Sequence, residues 1–158
     1  MPGNILLLSV KPKYATKIFD GQKTVELRRV RTRLNRGDLV LVYVSSPRKV
    51  LMGTFEVESI QEIEIKDLSK DLNKFWQEIK NHAGITSTEF ERYYQGATVV
   101  VGIFLKNVKP FDVPIDLDQL RQKIPHLKPP QSYRYLNENE MNILNSIISE
   151  KQSLADEH

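Results

Sequence analysis

Eight consecutive residues, Gly21-Gln22-Lys23-Thr24-Val25-Glu26-Leu27-Arg28, bring a turn glycine, a lysine, a carboxylate and an arginine together. Read as a strand entered from a glycine turn, the alternation sends Thr24, Glu26 and Arg28 to one face and Val25 and Leu27 to the other. A strand that needs only packing has little use for an ion pair on one face and a lysine at its mouth. The pattern fits the wall of a polar pocket. There Lys23 and Arg28 would neutralise phosphate or hydrogen-bond a base, and Glu26 would orient a cation or accept a base amino group. On an exposed face the same residues would form an ion-pair ladder of little energetic weight.

The charge around this segment is lopsided. From Lys11 to Arg36 nine basic residues stand against Asp20 and Glu26, so this stretch carries +7 in a chain whose total is +3. The remainder is mildly acidic. Such segregation is the electrostatic footprint of a nucleic-acid binder, or else a solvated arginine-rich loop. Arg29, Arg31, Arg33 and Arg36 are placed to touch a phosphate backbone, which fixes position and not sequence. Ser45, Ser46 and Lys49 fall where an apolar strand emerges, and can hold an anion in a turn or simply form a serine–proline turn. Tyr133 sits on a segment stiffened by Pro129-Pro130, where it can stack a base or close over the core. Trp76, Tyr93 and Tyr94 fall on apolar helical faces and are expected in the core.

Other chemistries lack residues. The chain has no cysteine, which excludes disulfides, thiolate metal sites and a cysteine nucleophile. His82, His126 and His158 are far apart, without metal-site spacing, and no phosphate-binding loop, dinucleotide fingerprint or nucleophile elbow occurs. Neither cofactor nor metal is expected. No apolar run reaches the roughly 20 residues of a membrane helix. Ile5–Val10 lacks the flanks of a signal peptide, so a cytoplasmic protein without membrane contact is expected.

The elements that must position these residues follow from periodicity. Ile5–Val10 reads as a strand. A helix starts at Pro12, carries Tyr14 and Ile18 on its apolar stripe, and stops at Gly21. Strands are expected at 24–29, 39–45, 50–60 (with Gly53 at a bulge or close approach) and 97–108. Between the last two, Leu68, Leu72, Phe75, Trp76 and Ile79 mark an amphipathic helix, and Thr86-Ser87-Thr88-Glu89 is a capping box opening another. Pro110 and Pro114 bracket an extended link, Asp116 caps a short helix, and a final helix starts at Asn137. The chain from Ser149 reads as a frayed tail. A single domain over 1–150 is expected, with a core at 4–110 and a helical extension at 111–148. Its fold class is α+β: a small, mostly antiparallel barrel with flanking and inserted helices.

The order strand, short helix, Gly21-x-Lys23-x-x-Glu26-x-Arg28, then a buried strand ending Tyr43-Val44-Ser45-Ser46-Pro47, resembles the ASCH domain family of PUA-like barrels. The resemblance implies a positively charged cleft between barrel and first helix, suited to RNA or a nucleotide-like ligand. It also implies an enzymatic alternative. One bacterial relative hydrolyses N4-acetylcytidine with a lysine at the position of Lys23 and a threonine two residues before the arginine. Here that second position is Glu26, and Thr24 is a neighbouring hydroxyl off the matching position. Two readings therefore stand: a binder of RNA or a modified nucleoside, or a hydrolase of an acylated nucleobase or of RNA with Lys23 and Glu26 as catalytic pair. A protein-interaction adaptor is a third class, expected to bind its partner independently of salt.

Overall fold

The computed structural model describes residues 4–156. One mixed sheet organises the chain. Its strands are β1 (Ile5–Val10), β2 (Val25–Arg28), β3 (Leu39–Val44), β4 (Val50–Glu64), β5 (Val99–Asp116) and β6 (Tyr133–Tyr135), in the order β2-β5-β4-β3-β1-β6. β1 and β3 run parallel and the other pairs antiparallel. The helices are α1 (Pro12–Phe19), α2 (Leu68–Ile79), α3 (Ser87–Tyr93), α4 (Leu117–Lys123) and α5 (Glu138–Asp156).

The sheet curls into a half-barrel because its central strands are apolar on both faces. Leu6, Leu8 and Val10 of β1, Val40, Val42 and Val44 of β3, and Val99, Val101, Ile103 and Leu105 of β5 fill the interior. The alternate residues Leu7, Leu41 and Tyr43 face outward, under Leu117 and Leu120 of α4 and Met141, Leu144 and Ile147 of α5. A third cluster joins Val25, Leu27 and Val100 to Leu72, Phe75 and Ile79 of α2 and Phe90 of α3. β3 lies between the first two of these clusters, which explains why it reads as a continuous apolar run.

Local signals behave as their chemistry dictates. Pro12 opens α1, and Gly21, at φ +86°, follows its end. Asp67 caps α2 by accepting from the Lys70 amide, and Thr86 and Glu89 form the reciprocal capping box of α3. The ladder shifts register around Gly53, where a Cβ would come within 2.4 Å of the Lys109 carbonyl oxygen and 2.7 Å of the Phe19 ring.

Four expectations need correction. β5 continues through Pro110 and Pro114 to Asp116. Proline removes one ladder donor, and here Pro110 lies opposite Gly53 beside a register shift, where the ladder is already irregular. β4 likewise runs to Glu64. The 133–135 segment is a sixth strand: Leu6, Leu7 and Leu8 pair with Tyr135, Arg134 and Tyr133. Finally, α5 passes Ser149 and reaches Asp156, because Gln152 Oε1 accepts from the amides of Asp112 and Val113 while its Nε2 donates to the Val113 carbonyl.

The close approach at Gly53 sets a test. Gly53→Ala forces overpacking against backbone and should lower unfolding stability by roughly 1–3 kcal/mol, read from urea melts. A midpoint equal to the parent's would contradict this packing.

Candidate nucleic-acid site

β2 is an edge strand whose two faces differ in kind. Val25 and Leu27 turn toward α2 and α3, as expected. Glu26 and Arg28 stand opposite Ile103 and Val101 of β5, both interior residues, so the charged pair points toward the inside of the half-barrel. The far edge of the sheet is β6, and no backbone ladder joins it to β2. Side chains stitch this seam instead. Arg28 Nη1 donates to Ser132 Oγ at 2.7 Å, the Arg33 amide donates to the Tyr135 hydroxyl at 2.5 Å, and Asn4 Nδ2 donates to the Arg33 carbonyl at 2.6 Å.

A cavity of about 520 Å³ opens at the seam. Lys23, Glu26 and Arg28 line it together. Lys23 is 3% exposed and Glu26 7%, so the cluster is buried. Glu26 sits between the cations: Oε2 is 3.3 Å from Arg28 Nη2, and Oε1 is 3.8 Å from Lys23 Nζ and accepts from the Leu27 amide at 3.2 Å. Lys23 Nζ donates to the Ala83 carbonyl at 2.7 Å. That carbonyl is presented by the turn between α2 and α3, where Gly84 adopts φ +65° and a Cβ would sit 2.9 Å from Lys23 Cβ. Glycine there lets the turn lie directly on the lysine stem. Arg28 Nε is buried without a hydrogen-bond partner.

Adjoining this cluster, with Lys23 Nζ 5.6 Å from the centre of the Tyr14 ring, stands one that sequence reading missed. The Tyr14 hydroxyl donates to Glu89 Oε2 at 2.7 Å, and Lys13 Nζ donates to the same oxygen at 3.1 Å. Tyr14 and Glu89 both line the cavity. The Tyr14 hydrogen bond, reinforced by the Thr86 amide and Lys13, holds the Glu89 carboxyl down at about 2. Glu89 is therefore an anion at every physiological pH. Tyr14 appears in the sequence as part of an apolar stripe and Glu89 as a helix cap. Both roles are real, and neither reveals that their polar ends meet. Ser9, Lys11, Ser45, Tyr93, Gln131 and Ser132 complete the polar lining, and Val10, Leu27, Ile85 and Pro130 the apolar part. Ser9 anchors the 130–132 wall: its Oγ donates to the Pro130 carbonyl at 2.6 Å and its amide to the Ser132 carbonyl at 2.9 Å.

The remaining candidates are scattered. Ser45 lines the cavity, but Ser46 and Lys49 do not. Lys49 has φ 52° and its carbonyl accepts from the Leu117 amide, a turn role. Thr24 lies outside the lining, although its carbonyl accepts from the Leu105 amide and continues the β2–β5 pairing one residue beyond the strand. Arg29 donates to the Gln95 carbonyl and lies over the Tyr93 ring, Arg31 pairs with Glu62, and Arg33 covers Tyr135, so these arginines border the seam without entering it. Tyr133 packs against the barrel core, with its hydroxyl directed to the Arg31 carbonyl. Tyr94 is buried as expected, whereas Tyr93 is 37% exposed and forms part of the cavity wall. Among the described residues no group of three His, Asp or Glu side chains is arranged to hold a metal ion, and no helix is long and apolar enough to cross a membrane.

A curled mixed sheet with an inward-facing lysine–carboxylate–arginine cluster at its open seam defines a PUA-like half-barrel. The ASCH domain signature matches residues 8–115, and the chain belongs to that family. It is 28% identical over 144 residues to the ASCH domain-containing ribonuclease of Zymomonas mobilis, covering 91% of this chain and 92% of the relative. The crystal structure of ASCH from Zymomonas mobilis superposes with a TM-score of 0.79 at 27% identity, over 90% of this chain and 94% of that one. Human THYN1, crystallised with DNA containing 5-methylcytosine, shares the fold with a TM-score of 0.57 at 13% identity, over 92% and 98% of the two chains.

Burial pulls the Lys23 ammonium below the ordinary lysine value of 10.5; Glu26 opposes the shift, and Arg28 and Lys17 add to it. In the window between its folded value and 10.5 the unfolded chain holds the extra proton, so this group makes stability rise with pH there. Glu26→Gln removes the opposing charge and should lower the Lys23 pKa further. A carbon-detected NMR titration of the lysine side chain reads this, and an unmoved midpoint would show that the carboxylate does not hold the ammonium.

Proposed function

We propose that the seam cavity binds single-stranded RNA by taking one unstacked nucleotide against the Lys23–Glu26–Arg28 cluster and the adjoining Tyr14–Glu89 pair. The observation that carries this is the lining itself. Three cations, Lys11, Lys23 and Arg28, share the wall with two carboxylates and with apolar and aromatic surface. A site for bare phosphate has no use for two carboxylates. A nucleotide has base donors for them, an apolar base face for Tyr14 and Tyr93, and a phosphate for the cations. A duplex presents no free base to so narrow an opening, which favours unpaired RNA. Exposed Lys11 and Lys13 at the mouth and the arginines from Arg29 to Arg36 would draw the polyanion in from a distance.

The Zymomonas mobilis relative is named a ribonuclease, and this favours cleavage as a second reading of the same cavity. Glu26 would take the proton of a ribose 2′-hydroxyl, whose oxygen attacks the adjacent phosphorus. The bond to the 5′-oxygen breaks, a proton from Lys23 caps the leaving oxygen, and Arg28 balances charge on the phosphoryl oxygens. Removal of an acyl group from N4-acylcytidine would draw on the same Lys23–Glu26 pair, whereas the neighbouring hydroxyl of Thr24 lies outside the cavity lining.

Fluorescence anisotropy with an unstructured RNA tests binding. Affinity should fall with salt at a logarithmic slope of roughly −0.7 per phosphate engaged. Arg28→Ala should weaken it roughly tenfold or more, the worth of a charge-assisted hydrogen bond. Salt-independent binding, or full affinity in Arg28→Ala, would rule the cavity out as the RNA site. Gel analysis of the same mixtures separates the two readings: shortened RNA that disappears in both Lys23→Ala and Glu26→Gln establishes cleavage, and intact RNA establishes binding alone.

A further inference from the structure

α3 has a hollow on each side. Glu89 and Tyr93 face the seam cavity, whereas Ser87, Phe90, Glu91 and Gln95 line a second cleft of about 380 Å³ closed on its far side by Leu68, Leu72 and Trp76 of α2. A bridge of specific contacts joins the two. Tyr93, in the wall of the first, meets Tyr94 edge-on at 4.9 Å; Tyr94 meets Phe90 at 5.1 Å; and Phe90 meets Trp76 at 4.9 Å. On the surface above this aromatic row, the exposed Arg29 lies over the Tyr93 ring at 6.0 Å and donates to the Gln95 carbonyl at 2.9 Å, reaching from one hollow to the other.

Two exposed apolar side chains belong to these hollows, one to each. Among the described residues the large hydrophobic side chains left exposed are Val30 at 65%, Leu68 at 42% and Tyr93 at 37%. Leu68 is in the second cleft, Tyr93 is on the ridge, and Val30 is the chain neighbour of Arg29. Scattered exposed apolar residues need no explanation, but residues that line neighbouring hollows do.

We infer that the α2–α3 cleft is a second subsite for the same single-stranded RNA, in which a neighbouring base stacks against Trp76 while Arg29 holds the phosphate that crosses α3. This rests on the seam cavity being the first subsite. The second cleft offers an indole, Asn73 and Gln95 as amide partners for a base edge, and a cation on the ridge between the hollows. It contains Glu91 as its one charged lining residue. That composition suits a base and not a phosphate, so the strand's charge is carried on the ridge and its bases enter the hollows. Stacking on an aromatic platform tolerates any base, so this subsite adds affinity and length dependence rather than sequence preference.

Trp76 is the single tryptophan of the chain, so its emission reports on this cleft alone. Adenosine monophosphate and fluorescein-labelled oligoadenylates of increasing length are titrated into the unmodified protein, with anisotropy reading binding and tryptophan emission reading the cleft. The expected result is quenching by oligomers long enough to cross α3, with a step up in affinity at the same length and no quenching by the mononucleotide. Leu68→Glu, at an exposed position, should lower the affinity for the long oligomer about tenfold, the size of one lost base stack. Oligomers that bind with unchanged tryptophan emission, or a mononucleotide that quenches as fully as the oligomers, would overturn the second subsite while leaving the first intact. No binding at any length would overturn both.

Discussion

The Glu26 carboxylate, held between Lys23 and Arg28 on the inward face of an edge strand, is the constraint around which this fold is arranged. A small barrel normally fills its interior with apolar side chains. Here β2 turns Glu26 and Arg28 toward that interior, opposite Ile103 and Val101, and Lys23, just before the strand, completes the ion triad. Lys23 and Glu26 are already buried there, a desolvation cost that pairing repays only in part, and closing β2 against the far edge would bury Arg28 with them. The sheet stays open at this point, and the gap is spanned by side chains that pair the charges beside the cavity. The cavity is the direct result of that compromise.

Every neighbouring element is shaped to support the triad. The α2–α3 insertion supplies the Ala83 carbonyl for Lys23 and the Gly84 carbonyl for Lys17. The Tyr93 and Tyr94 hydroxyls reach back to the carbonyls of Leu27 and Arg28, tying α3 to the strand that carries the charges. The 130–132 segment brings Ser132 to Arg28 and is itself fastened by Ser9. Glu89 unites two tasks: one oxygen caps α3 and the other orients Tyr14 in the cavity wall. The positions of helix, strand and pocket wall are thus coupled through the carboxylates of Glu26 and Glu89.

Much of this was legible in the sequence, for reasons that can be traced to particular residues. The G-x-K-x-x-E-x-R spacing exposed the triad because turn, alternation and charge are all local signals. Pro12, Thr86 and Asp116 marked helix starts because capping is local too. What stayed hidden depends on contacts far apart in the chain. Tyr133–Tyr135 becomes a strand only because β1 offers it an edge, and Gln152 extends α5 only because β5 leaves two amides for it. Tyr14 and Glu89 are 75 residues apart, and nothing in either neighbourhood announces the other. Thr24 differs again: its carbonyl continues the β2–β5 pairing, yet it lies outside the cavity lining.

The cavity wall is gathered from widely separated stretches of chain around Ser9–Tyr14, Lys23–Arg28, Ser45, Ile85–Tyr93 and Pro130–Ser132. No unfolded or half-assembled form of the molecule possesses it. Whatever occupies it consequently recognises the native state alone, and mass action makes every bound molecule a stabiliser of the whole fold. A shift in melting temperature is therefore a fair proxy for occupancy, and candidate ligands can be ranked by heat before any chemistry is assumed.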